Sequence, residues 1–258
     1  MCIVLARLSL PMAEKGENMY PINRREIKSL ARMRIRTARP SPLAVGAAYF
    51  IITWVISLVA TRLQATAIRI DWDLFWATGD ATQALTIYPE RITFLYQLLV
   101  AAIDVVSLVI GVGMTLYALR VMRGDKAGVG DLFDSFSLFF KIVWLNLLMS
   151  VYVFLWSLLL FIPGIIAAYS YSMAIYLLLD HPDWRVGQCI RESKRLMKGH
   201  KGEIFMLDLS FFGWYLLTAI PVVQIYVTPY VQLARAEFYN RLVGCSTAAE
   251  EEKAPWEY

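Results

Sequence analysis

Charge is what this sequence has least of. Only 18% of its 258 residues are Asp, Glu, Lys or Arg, and they cluster, so short charged stretches separate long neutral runs. A soluble domain holds its apolar content near ~45–50%; here it is 58%, with a mean hydropathy of +0.51. That balance excludes an ordinary soluble enzyme and points to membrane-spanning helices joined by aqueous loops. Cysteine is scarce too. Cys2, Cys189 and Cys245 form neither a close pair nor a metal-like spacing, which excludes a disulfide framework and a zinc site. His181 and His200 sit near no helpful cysteine, and no metal or cofactor is expected. A Ser/His/Asp set, an HExxH run, paired catalytic carboxylates and a phosphate-cradling glycine loop are all lacking, so no enzyme activity is expected. A net charge of +4 and a pI near 8.9 would hint at nucleic acid in a soluble chain. In a membrane chain the bias of positive charge toward the cytoplasm explains it, and no nucleic-acid partner is expected.

What is present is a series of neutral runs. Leu43–Thr61 is uncharged, and at ~1.5 Å per residue it matches the ~30 Å hydrocarbon core. Residues 92–119 follow, interrupted only by Asp104, then 142–162 up to the Pro163-Gly164 turn signal. The short, tyrosine-rich run 165–179 is fourth; 204–220 and 224–242 form a last pair hinged near Pro221. Thr228-Pro229 should kink the final helix. The fold expected is an all-α polytopic transmembrane bundle of six spans with short cytoplasmic amphipathic helices. Residues 19–42 form a basic cytoplasmic segment and 243–258 a cytoplasmic tail. Glu14-Lys15-Gly16-Glu17-Asn18 can be encoded by a ribosome-binding sequence just before Met19, so residues 1–18 read as a mis-called extension.

Charge bias orients the spans. Six spans put 22 of the 25 Lys and Arg residues on one side and leave Arg62, Arg69 and Arg91 on the other. Both termini are therefore expected in the cytoplasm. The outer loop 62–91 carries Asp71-Trp72-Asp73-Leu74-Phe75-Trp76, whose tryptophans suit the outer membrane surface. Amphipathic segments precede the hairpins. In 183–198, Val186, Cys189, Ile190, Ser193 and Met197 oppose Arg185, Arg191, Lys194 and Arg195, with Asp183 as start cap and Gly199 as stop. Leu132, Phe133, Phe136, Phe139 and Phe140 form a second stripe. Ile27, Leu30 and Ala31 mark a third within 24–36. The chain thus reads as three units of surface helix plus hairpin.

Several local strings carry a family resemblance. Phe154-Leu155-Trp156-Ser157-Leu158, Ile162-Pro163-Gly164-Ile165-Ile166 and Tyr169-Ser170-Tyr171-Ser172-Met173-Ala174 occur in order. Asp180-His181-Pro182-Asp183, Ser193 and Met197-Lys198-Gly199-His200-Lys201 come next. After them stand Leu207-Asp208-Leu209-Ser210-Phe211-Phe212-Gly213-Trp214, Pro229-Tyr230 and Ala236-Glu237-Phe238-Tyr239. Together with Asn23-Arg24-Arg25-Glu26-Ile27-Lys28, Arg123-Gly124-Asp125 and Asp131-Leu132-Phe133, they resemble the bacterial integral membrane family catalogued as domain of unknown function 975. The resemblance covers most of 23–242 and implies a multi-span protein of the bacterial cytoplasmic membrane. It implies no activity.

A few polar residues breach the neutral runs. Asp104 lies deep in a span, where a charge costs about 2.5–3.5 kcal/mol on insertion scales. It reads either as a proton or cation relay or as a packing residue, against Asn146 for example. Asp208 and Arg235 lie at similar depth if the last hairpin turns near Val222, so an ion pair is expected, with Glu237 as the competitor for the arginine. The cationic run Arg191, Lys194, Arg195, Lys198 and Lys201 reads as topology control or as a contact with anionic lipid. Gly111 and Gly113 suit close helix packing. The leading functional expectation is a non-enzymatic membrane component that organises or regulates others, or shapes the membrane. The alternative is a small transporter or channel subunit using Asp104. An intramembrane lipid enzyme comes third. Anionic lipids and protein partners of unknown kind are the expected partners.

Overall fold

A computed structural model describes residues 23–253 apart from 40, 71, 81, 83–84, 88–89 and 219. The reading of residues 1–18 lies outside the described residues, as do Asp71 and the end of the tail. Helix α1 (Arg24–Thr37) starts at Asn23, whose side chain accepts a hydrogen bond from the Arg25 backbone N–H at 3.1 Å, a standard start cap. Long α2 (Pro42–Ala67) leads to a small outer element. Three-residue strands β1 (Ile68–Ile70) and β2 (Leu85–Ile87) pair antiparallel around helix α3 (Trp72–Thr78). This short pairing modifies the all-α expectation. Helix α4 (Glu90–Arg123) returns, and Gly124, at φ +82°, opens the turn that follows.

The remaining elements are more broken than the neutral runs suggest. Helix α5 (Asp131–Asp134) passes through a 3₁₀ turn (Ser135–Leu138) into α6 (Phe139–Leu159). The hairpin break falls at Leu160, which is extended, and not at Pro163. Pro163 instead occupies the first turn of α7 (Phe161–Tyr171), where a missing N–H costs nothing. A turn at Ser172–Met173 separates α7 from α8 (Ala174–Asp180). The Ser170 carbonyl accepts the Ser193 hydroxyl at 2.9 Å. Helix α9 (Val186–Leu196) carries that serine. It starts at Arg185 with no side-chain cap, so Asp183 does not cap it, while Gly199 does turn the chain, at φ +94°.

The fifth expected span is two short helices, α10 (Lys201–Leu209) and α11 (Phe212–Leu217), parted at Ser210-Phe211. Helix α12 (Pro221–Lys253) begins at the proline expected to be the hinge, and runs past 242. It stays helical through Pro229. Proline cannot donate to the Ile225 carbonyl. A Cβ on Gly46 of α2 would lie 2.6 Å from that oxygen, so the two helices cross there in close backbone contact.

Among the described residues, four helical stretches are long and apolar enough to cross a membrane: Pro42–Arg62, Gln97–Arg123, Asp131–Leu159 and Ile162–Asp180. By length and composition, four of the six expected spans are shown. The final pair falls short because the one half is broken and the other carries Arg235, Glu237 and Arg241 among its apolar residues. Burial is concentrated at one end. Tyr117, Phe211, Tyr230, Phe238 and Tyr239 are enclosed together with Ile27, Ala31 and Ile35 of α1. Away from that end the helices turn large apolar side chains outward, including Trp54, Leu98, Trp144 and Phe154. Apolar area on that scale is solvated by lipid, not water.

Candidate functional site

Charged side chains gather where the helices enter that buried end, and several of them pair across helices. Arg123 closes α4 and reaches Asp180 at the end of α8 through two parallel hydrogen bonds of 2.7 Å each. The planar guanidinium fork matches a carboxylate in this way. Tyr239 of α12 donates to the same carboxylate at 2.7 Å and stacks on Tyr176, while Arg123 Nε donates to Asn240 at 3.2 Å. Four side chains thereby tie α4, α8 and α12 at one point.

Deeper along α12, Arg235 donates to both carboxylate oxygens of Asp208, at 3.1 and 2.9 Å. The pairing expected from the depth of these two residues is formed. Glu237 does not compete for Arg235. It accepts from Arg241 at 2.9 Å, and Arg241 also reaches Glu26 of α1 at 2.8 Å. That hydrogen bond holds the Glu26 carboxyl below the ordinary carboxylate range. Arg120 binds Asp131 and Asp134, which fixes α5 beneath α4. Gly113 permits this approach, since a Cβ there would lie 2.6 Å from the Leu132 Cα; Gly111 makes only ordinary contact with Tyr49.

The amphipathic segments divide. The apolar face of α9 is buried as read, with Val186, Cys189, Ile190, Ser193 and Met197 all inside and Arg185, Arg191, Lys194 and Arg195 exposed. Its apolar face rests on protein, and burial pushes the Cys189 thiol up. The phenylalanine stripe behaves differently. Leu132 is enclosed, but Phe133, next to it in the same short helix, and Phe136 and Phe140 face outward. Of the cationic candidates, Arg191, Lys194, Arg195 and Lys198 are exposed and Lys201 is half-buried. Arg195 pairs with Glu192 at 2.7 Å, and Lys194 lies 5.9 Å from the centre of the Tyr171 ring.

Asp104 and Asn146 are not brought together. Asp104 is exposed on α4, Asn146 is half-buried on α6, and neither forms a hydrogen bond among the described residues. A polar cleft of about 250 Å³ opens elsewhere, beside α12. Its lining includes Gln224, Thr228, Gln232 and Arg235, spaced four, four and three apart along one helix face, together with Tyr215 and Thr218. Gln232 approaches Thr115 of α4 at 3.5 Å. The four-residue spacing of Gln224, Thr228 and Gln232 is visible in the sequence alone. Among the described residues, no three His, Cys, Asp or Glu side chains gather as metal ligands.

Many of these paired residues fall in one portion of the chain. Residues 157–246 match the family described as a protein of unknown function, DUF975. This is the family that the sequence resembles. The matched region holds Asp180, Asp208, Arg235, Tyr239 and Arg241, so it contributes at least one partner to each helix-joining contact around Arg123, Arg235 and Arg241. No curated protein and no solved structure matches the chain.

Proposed function

We propose that the protein is a non-enzymatic, multi-pass component of the bacterial cytoplasmic membrane that organises or regulates other membrane proteins. One observation carries this reading. Asp180, Asp208, Arg235 and Arg241 of the matched region are engaged in joining helices, while the outer face of α6 leaves Trp144, Leu147, Val151, Phe154, Leu155 and Leu158 uncovered. A chain built this way supplies a rigid frame with a broad apolar flank. The exposed cations of α9 supply a surface for anionic lipid. Membrane shaping by a free amphipathic helix is less well supported, because the apolar face of α9 is already covered by protein. The test is a photo-crosslinking residue at Leu155 in the native membrane, with buried Leu145 as the control. Discrete protein adducts at Leu155 alone are expected; adducts to lipid only would overturn the reading.

The polar cleft beside α12 favours a second reading, a small transporter or channel subunit. Asp104 does not line that cleft, so the reading moves from Asp104 to Gln224, Thr228 and Gln232. Solute flux in proteoliposomes abolished by Gln232→Leu would support it.

A further inference from the structure

A second cleft, of about 300 Å³, lies where the start of α1 meets the break between α10 and α11. It is lined by Asn23, Arg24, Arg25, Lys28 and Ser210. Three of its five lining residues are cations and none is an acid. The neighbouring carboxylates are committed elsewhere: Glu26 to Arg241 at 2.8 Å, and Asp208 to Arg235 at 2.9 Å. The side chains of Arg24 and Arg25 make no ion pair among the described residues.

Lys28 is held in place from two sides. Its ammonium donates to the Ser210 carbonyl at 3.0 Å and sits 4.5 Å over the Phe211 ring. Phe211 is itself fully enclosed, so this wall of the cleft is stiff. Burial and the nearby charges of Arg32 and Arg24 hold the Lys28 ammonium below its ordinary pKa. Like charges crowded at one place are costly, and an anion between them removes the cost. The volume stands at the low end of the ~300–1,000 Å³ typical of small-ligand sites, which suits a headgroup and is tight for a nucleotide.

We infer that this cleft binds a phosphate ester, with Arg24 and Arg25 gripping its oxygens and Lys28 fixed as a point charge at the base. Arginine forks match phosphate oxygens in pairs, and lysine adds charge without that geometry. The phosphate can arrive on an anionic lipid or on a small soluble ester. This site is separate from the cation surface of α9 and from the organising role proposed above, and its failure would leave both standing.

The test uses the full chain in a neutral detergent. Thermal unfolding is followed while inorganic phosphate and glycerol phosphate are titrated in, and native mass spectra record any retained phospholipid. The wild type should give a saturable rise in Tm with glycerol phosphate, or retain one anionic phospholipid per chain. In the Arg24→Gln/Arg25→Gln variant the half-saturation point should rise at least tenfold, or the retained lipid should be lost. Both arginines are exposed, so the unliganded Tm should hold, and Arg24→Lys/Arg25→Lys should keep part of the binding. Saturation by the soluble ester assigns a soluble source, and lipid retention without it assigns a headgroup. Absence of both, or an equal loss in Lys194→Gln/Lys198→Gln on α9, overturns the site.

Discussion

An arginine at the end of an apolar helix can reach water, a headgroup or a carboxylate, and Arg123 takes the carboxylate. Its partner Asp180 is only 16% exposed at the side chain, and Arg123 itself 32%. Removing one member of a buried pair costs about 3–5 kcal/mol because the other is left uncompensated. Partial exposure of Arg123 lowers that, and about 2 kcal/mol is the expected loss for Arg123→Met or Asp180→Leu alone. The double variant should recover most of it, since two apolar groups replace two paired charges. Unfolding midpoints of the four proteins in one detergent would check this, and additive losses would count against the pair. The same logic applies to Asp208 and Arg235, where charge reversal at both positions should restore the accumulation lost in either single reversal. Tyr239 is the third member of the first group. Tyr239→Phe removes its 2.7 Å hydrogen bond to Asp180 and should cost about 0.5–1.5 kcal/mol.

Between elements, glycine decides how near two helices can come. Gly46 of α2 faces the carbonyl that Pro229 leaves free in α12, and a Cβ there would also meet the proline ring at 3.0 Å. Backbone cannot give way as a side-chain tip can, so Gly46→Ala should part α2 from α12 and destabilise by about 1–3 kcal/mol, the usual range for overpacking. Gly111→Ala, with only the Tyr49 hydroxyl at 3.7 Å, serves as the matched control and should be near neutral. Equal unfolding midpoints for the two variants would refute the argument. Element boundaries were legible in the sequence where an apolar run met a charge. The Arg123 end of α4 is an example, and so is the alternation of buried and exposed positions in α9; α2, by contrast, stays helical past Arg62 to Ala67. Breaks inside apolar runs were not legible. At the breaks near Ser172 and Ser210 the Ser193 hydroxyl and the Lys28 ammonium take up the Ser170 and Ser210 carbonyls, and those contacts come from far along the chain. The Asp208–Arg235 pair could be found by counting from a turn. The Arg123–Asp180 link could not, because its members are separated by 57 residues and an intervening hairpin.

For the whole molecule, four or six crossings give different faces to one short segment, the turn between α11 and α12. Four crossings would leave that turn on the same side as the cations of α9, and six would carry it across. Val222 is 13 residues from Arg235 along α12, which places it roughly 20 Å from the Asp208 pair at ~1.5 Å per residue. Tyr239 is 17 residues away, or roughly 26 Å, close to the ~30 Å of the hydrocarbon core. The tip of the hairpin is apolar on its surface, with Leu216, Ile220 and Val222 all exposed, and Val222 at 70%. Such a tip is poorly suited to water beside the cations of α9. The charges on α12 that disqualify it on composition are paired, Arg235 with Asp208 and Arg241 with Glu237 and Glu26, which lowers the cost of carrying them near lipid. Single cysteines at Thr78, Lys126, Lys198 and Val222, in a chain freed of its own cysteines, give a direct reading with an impermeant maleimide on intact cells. Label at Thr78 and Val222 but not at Lys126 or Lys198 is the six-crossing result. Protection of Val222 until the cells are opened would reduce the crossings to four and move the whole last hairpin to the inner surface.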